Sequence, residues 1–172
     1  LYNWRANNVT VTQEETDAPS GGGKSQKISV VPSTINNSGG VERKAEGLDP
    51  TTTYTFSVFY KVLTPGGAAN VLIFDGEKYL NTNVLLTSND WARVEYTFVP
   101  QADSTSVNFW LRKAPDVGSS VEILFDAAKL EESNAATLYV EYEPPSNVWT
   151  VIDFLNPGPN QYDIRSVDAG GN

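Results

Sequence analysis

The sequence contains no cysteine, no histidine and no methionine. Without cysteine there is no disulfide framework and no thiolate to serve as nucleophile or metal ligand. Without histidine, the Ser-His-Asp and Cys-His arrangements, the usual zinc sites and the commonest neutral-pH general base are excluded. A chain that begins at Leu1 and carries no methionine is not a primary translation product, so an excised or processed piece of something longer is expected. No run approaches the ~18–20 apolar residues of a membrane-spanning helix. The N-terminus also lacks the basic, apolar and small-residue pattern of a secretory signal. Positive charge is scarce: 12 Lys and Arg stand against 21 Asp and Glu, a formal net charge of −9. Such a surface repels phosphate backbones, and nucleic acid is not an expected partner.

The 172 residues present are enough for one domain with a short appendage, and for a core that needs neither metal nor disulfide. Their texture is that of strands. In residues 54–62, Tyr54, Phe56, Val58, Tyr60 and Val62 share one face and Thr55, Ser57, Phe59 and Lys61 the other, which makes the first set the core-facing one. In residues 91–99, Ala92, Val94, Tyr96 and Phe98 alternate with Trp91, Arg93, Glu95, Thr97 and Val99. In residues 106–113, Val107, Phe109 and Leu111 are expected inward, with Asn108, Trp110 and Arg112 outward. Further strands are expected at 8–13, 24–31, 41–46, 69–75, 121–130 and 137–142, separated by Gly, Pro, Asn and Asp turns. About nine strands without intervening helices predict an all-β fold, an antiparallel β-sandwich or jelly roll.

After Tyr142 the texture changes. Pro144-Pro145-Ser146-Asn147 reads as a linker, and residues 148–154 and 162–167 as a hairpin around Asn156-Pro157-Gly158. The expected division is a domain over 1–143 and, over 144–172, a β-hairpin extension or the start of a further domain. A lone hairpin is marginal in water, so this tail must dock on the sandwich, pair with another chain or form part of that further domain.

Four stretches, in order, carry a family resemblance. They are Trp4 with Ser20-Gly21-Gly22-Gly23-Lys24 leading into Lys27-Ile28-Ser29-Val30; the Gly47-Leu48-Asp49-Pro50 turn before Tyr54-Thr55-Phe56-Ser57; Trp91-Ala92-Arg93 opening a strand through Phe98; and Phe125-Asp126-Ala127-Ala128-Lys129-Leu130-Glu131-Glu132 followed by Ala136-Thr137-Leu138-Tyr139. Over residues 4–142 this pattern resembles the carbohydrate-binding-module-like jelly rolls of phage tail and fibre proteins and secreted glycan-acting proteins. The resemblance implies a jelly-roll fold and a glycan partner. Family members usually begin with an Asn-Leu-x-x-Asn-x-x-Phe-Glu strand that contributes to a structural calcium site, and nothing like it precedes Trp4. Asp126 matches the closing-strand position of such a site and is the one candidate metal ligand. The alternative is a hydrogen-bonded Asp at a sheet edge, because Ca²⁺ needs six to eight oxygens. No cofactor is otherwise expected.

No catalytic set stands out. Paired carboxylates can hydrolyse glycosides, but 21 acidic residues make chance pairs unavoidable, and an enzyme is not expected. Gly21-Gly22-Gly23-Lys24-Ser25 opens a strand and reads as a turn, not a phosphate loop. The sequons at Asn8 and Asn36 carry no weight in a phage or bacterial protein. A sugar site needs an aromatic ring with hydrogen-bonding neighbours. Trp110, flanked by Asn108 and Arg112, is the leading candidate; packing beneath a loop or the tail is its alternative role. Arg93, Glu95, Phe59, Leu72 and Phe74 are placed on the same exposed face, with a protein contact as the alternative for the apolar ones. Tyr79 is a candidate to close one end of such a groove, with an ordinary exposed tyrosine as the alternative, and Trp91 is assigned to packing.

The expected function is a non-catalytic glycan-binding or adhesion module of a virion or a secreted surface protein. The alternative is a structural virion or filament component, a capsid decoration or tail protein, that uses the jelly roll for assembly. Expected partners are a cell-surface or polysaccharide glycan and other virion or filament subunits, with the chain a homo-oligomer within its assembly. The expected location is the virion or the extracellular space. The absent opening strand favours assembly, since an unpaired sheet edge invites another segment.

Overall fold

In the computed structural model the chain divides into two compact units, Leu1–Glu141 and Tyr142–Asn172. The structure describes residues 4–19, 23–30, 39–81, 84–115 and 120–138. The hairpin expected within 148–167 lies outside the described residues.

Nine strands succeed one another without a helix among the described residues: β1 Arg5–Asn7, β2 Thr10–Glu14, β3 Ser25–Val30, β4 Gly40–Glu46, β5 Tyr54–Val62, β6 Ala69–Phe74, β7 Ala92–Phe98, β8 Ser106–Lys113 and β9 Val121–Glu131. They form a four-stranded sheet, β1-β4-β8-β6, and a five-stranded sheet, β2-β3-β9-β5-β7, with every pairing antiparallel. The expected all-β sandwich is what forms. Its inner faces are the alternating apolar sets: Val58, Val71, Ile73, Val107, Leu111, Val121, Ile123 and Phe125 are fully buried. Across the gap Phe56 stacks on Phe109 with ring centroids 4.6 Å apart, and Phe98 lies 6.0 Å from Phe109. Such aromatic pairs add to the burial of apolar area.

Three local devices shape this framework. The strand expected at 8–13 forms as β2, Thr10–Glu14, and a short strand not expected from the sequence, β1, precedes it in the other sheet; the chain passes between them at Asn8, which adopts φ 53°, a left-handed conformation that asparagine tolerates better than most residues. In the Gly47-Leu48-Asp49-Pro50 turn, Gly47 takes φ 74°, Leu48 enters the core, and the Asp49 carboxylate accepts the Thr51 N–H at 2.7 Å. The third is a β-bulge. Ser57 faces Lys129 but Phe59 faces Asp126, so two steps along β5 match three along β9. The extra residue lies at Ala127, with φ 48°, and it shifts the alternation so that Leu124, Asp126, Lys129 and Glu131 all point away from the core while Ala128 is buried. The strand expected from Thr137 is not formed at Thr137 and Leu138.

The free edge of β6 is closed by the segment that crosses to β7. Tyr79 and Leu86 bridge to Phe74 and Ala69. Between them the Asn81 side chain imitates a strand: its Oδ1 accepts the Ile73 N–H at 2.8 Å and its Nδ2 donates to the Val71 carbonyl at 2.9 Å. An open edge is a template for association. Asn81→Ala therefore leaves a backbone donor and acceptor of β6 without partners. The expected result is a loss of about 1–3 kcal/mol of stability in chemical denaturation and a new tendency to self-associate in sedimentation experiments.

Candidate functional site

The two outer faces differ in what already lies on them. On the five-stranded sheet, segment 15–19 is held over one end of the outer face. The Asp17 carboxylate accepts the Lys61 ammonium at 2.7 Å and the Trp91 indole N–H at 2.7 Å, and the Asp17 carbonyl accepts the Ser25 hydroxyl at 2.6 Å. Leu124, opposite Lys61 in register, points outward and is nevertheless buried, as is Ala18. Trp91 thus packs and donates, as its structural assignment requires. At the other end, segment 133–137 folds back across the sheet. Thr55 donates to the Ser133 carbonyl at 2.8 Å, and the Glu131 carboxylate accepts the Thr137 N–H and hydroxyl at 3.0 and 2.7 Å.

Between these two clamps lie three of the expected site residues. Arg93 is opposite Phe59 in register, with its guanidinium 5.6 Å from the ring centroid; it donates to Ser57 at 2.9 Å and pairs with Glu95 at 3.4 Å. Phe59, Arg93 and Glu95 therefore belong to the five-stranded sheet, and Trp110, Asn108, Arg112 and Phe74 to the four-stranded one. A sandwich turns those outer faces in opposite directions, so the single groove expected from the sequence does not form. Alternation shows which residues of one strand share a face, but not which sheet that strand joins.

Asp126 sits at the bulge on the five-stranded outer face, where its carboxylate accepts the Ala127 N–H at 2.7 Å. Among the described residues no three acidic side chains gather in a way that could hold a metal ion.

The four-stranded outer face is built in rows across the strands. Trp110 on β8 stands between Glu42 on β4 and Leu72 on β6; Arg112 stands between Gly40 and Asn70; Asn108 stands between Lys44 and Phe74. Tyr79, 53% exposed, leans on Phe74 with ring centroids 5.2 Å apart. Trp110, Asn108, Arg112, Phe74 and Tyr79 are thus brought together. Leu72 points outward beside Trp110 and is buried at 4% exposure. Trp110 is half-buried, with the Arg112 guanidinium 5.8 Å from its ring centroid. The Arg112 Nε donates to Asn70 Oδ1 at 2.9 Å, and burial lowers its pKa while the Tyr79 phenol acts the other way.

Beside Trp110 and Arg112 opens a depression of about 250 Å³, also lined by Asn7, Asn8, Gly40 and Glu42. Gly40 makes it. A Cβ there would fall 2.4 Å from the Arg112 Cβ and 2.4 Å from the Leu111 carbonyl oxygen, so only glycine lets β4 lie this close beneath the arginine. In the sequence Gly39-Gly40 is a turn signal, and this packing role is not visible there.

Comparison with known proteins places this architecture. No family model matches the sequence, and no curated protein matches it. The fold resembles solved carbohydrate-binding modules. The CBM22-1 xylan-binding domain of Paenibacillus barcinonensis Xyn10C is 15% identical over 77% of this chain and 87% of its own, with a TM-score of 0.57. TmCBM61, solved in complex with β-1,4-galactotriose, is 16% identical over 77% of this chain and 90% of its own, at 0.54. A tailspike protein of bacteriophage CBA120 matches through its enzymatically active domain, 14% identical over 75% of this chain and 19% of its own, at 0.52. At these identities the shared property is the jelly-roll fold of the carbohydrate-binding-module type.

The clamps carry a pH dependence. The Lys61 hydrogen bond lowers the Asp17 pKa, burial opposes it, and Trp91 adds to the lowering. Burial works to raise the Glu131 pKa, but Lys129 and Thr137 prevail and it too is lowered. A carboxylate depressed in the folded state contributes stability that is fully present above its unfolded pKa and is lost as the pH falls through the folded value. Asp17→Asn is expected to cost about 1–2 kcal/mol at neutral pH, the lower part of the range for charge-assisted bonds because the site is partly exposed. It should also flatten the acid limb of a Tm series run from about pH 6 to pH 3, a limb the wild type should keep.

Proposed function

We propose that this chain is a non-catalytic glycan-binding module whose sugar site is the outer face of the four-stranded sheet. Trp110 is the platform, with Asn108, Arg112, Phe74 and Tyr79 around it. The observation that carries this reading is the asymmetry of the two faces among the described residues: segments 15–19 and 133–137 cross the five-stranded face, while on the four-stranded face the half-buried Trp110 and the exposed Tyr79 stand near a polar depression. An indole flanked by amide and guanidinium groups suits a pyranose, whose C–H face stacks on the ring while its hydroxyls take the hydrogen bonds. The carbohydrate-binding-module neighbours support the same reading. Phe59, Arg93 and Glu95 brace the opposite sheet in it, and Asp126 is part of the bulge.

The setting we infer is a virion, in a phage tail or fibre, or a secreted surface protein, with several copies in one assembly turning weak single contacts into firm attachment. On a glycan array, Trp110→Ala is expected to lose at least about tenfold of the affinity, in line with the few kcal/mol carried by a buried aromatic anchor, while its thermal melt stays cooperative. Equal retention of the two proteins, or retention of neither, would remove the sugar reading. The alternative, a structural virion or filament subunit, draws on Tyr79, Val84 and Leu85, which are 53%, 46% and 53% exposed along the segment beside β6, and on the tailspike neighbour. A stable oligomer dissociated by Leu85→Ser, seen by sedimentation velocity, would favour it.

A further inference from the structure

The charge pattern of the four-stranded face says more about its ligand. In a chain with 21 acidic and 12 basic residues, a cation should find a carboxylate, and on this face its neighbours do: Arg5 lies 3.5 Å from Glu42 and Lys44 lies 2.6 Å from Glu46. Arg112 does not. Among the described residues no carboxylate lies within 4 Å of its guanidinium; its hydrogen-bond partner there is the neutral Asn70 amide, through Nε, and its Cζ lies 5.8 Å from the Trp110 ring centroid. The side chain is nonetheless half-buried. A guanidinium withdrawn from water without a counter-charge is costly, and an anion seated against it recovers that cost.

Resting on the glycan-binding reading above, we propose that the sugar received on this face carries a carboxylate, as a uronic acid residue does, and that Arg112 binds it. Asn70 occupies Nε and leaves the Nη donors, whose planar fork matches the two oxygens of a carboxylate. The depression beside it is of the right order for one sugar ring, about 250 Å³, and Asn7 and Asn8 on its wall can bond hydroxyls. Glu42 lines the same depression, but Arg5 balances it. The indole holds the sugar ring while Arg112 reads its charge. The net charge of −9 repels continuous polyanions at long range, which favours carboxylates spaced along an otherwise neutral chain.

The test is an array of uronate-bearing, sulfated and neutral oligosaccharides, with each uronate also present as its carboxyl-reduced counterpart. Wild-type protein should retain the uronate-bearing set and bind the reduced counterparts about ten- to a hundredfold more weakly, the range for a charge-assisted pair of hydrogen bonds. Arg112→Gln should abolish that difference, and Arg112→Lys, which keeps the charge without the fork, should restore part of it. The carboxyl-reduction comparison needs only wild-type protein, so a poorly folding variant does not spoil it. Trp110-dependent binding of neutral sugars, unchanged by carboxyl reduction, would overturn the uronate assignment and leave the glycan reading standing. Retention of sulfate esters alone would also overturn it. Retention of no glycan of any class would remove both.

Discussion

The contact on which this molecule depends is the aromatic seam between its sheets, where Phe56 of the five-stranded layer lies 4.6 Å from Phe109 of the four-stranded one. Stacked sheets bury only one side of each strand, and the seam decides which side. Once Phe109 is inward, Trp110 and Arg112 must be outward; once Phe56 is inward, Ser57 and Phe59 must be outward, in the opposite direction. Every surface property derives from that parity.

Two exposed faces of similar construction are then put to different use. The five-stranded layer is crossed by the chain's own segments, each fastened by a carboxylate: Asp17 receives Lys61 and Trp91, and Glu131 receives Lys129 and Thr137. Ion pairs at exposed positions contribute little, but here each carboxylate also accepts directed hydrogen bonds that fix a loop. On the four-stranded layer Trp110 is half-buried and Tyr79 exposed, and a depression lies beside Trp110 and Arg112. The flank of this layer is closed by a side-chain amide, so the neighbouring edge is withdrawn from β-pairing.

Most of the architecture is legible in the sequence because alternation is a strong signal where one side of a strand is buried. Tyr54–Val62 and Ser106–Lys113 are readable to their end residues for that reason. The failures share a cause. Nothing along residues 91–99 or 106–113 states which layer each strand enters, so alternation alone puts Arg93 and Trp110 on one face although they lie on opposite sides of the sandwich. β1 escapes notice because Arg5-Ala6-Asn7 is three residues long and carries no β-branched or aromatic side chain. The bulge at Ala127 is hidden because Ala127-Ala128 reads equally well in either phase. Trp110 is singled out as a candidate by its polar neighbours in alternation, whereas the packing of Gly40 depends on a strand far along the chain.

The bulge on β9 sets apart two kinds of sequence change that look alike in an alignment. Replacing Ala127 by another small residue keeps the count of residues between Asp126 and Lys129, and each neighbour keeps its orientation. Removing one residue there would rotate everything downstream by half a pleat, driving Lys129 and Glu131 towards the Phe56 side of the layer and lifting Ala128 and Leu130 into water. Evolution is therefore free to vary the letters of that short stretch but is held to its length.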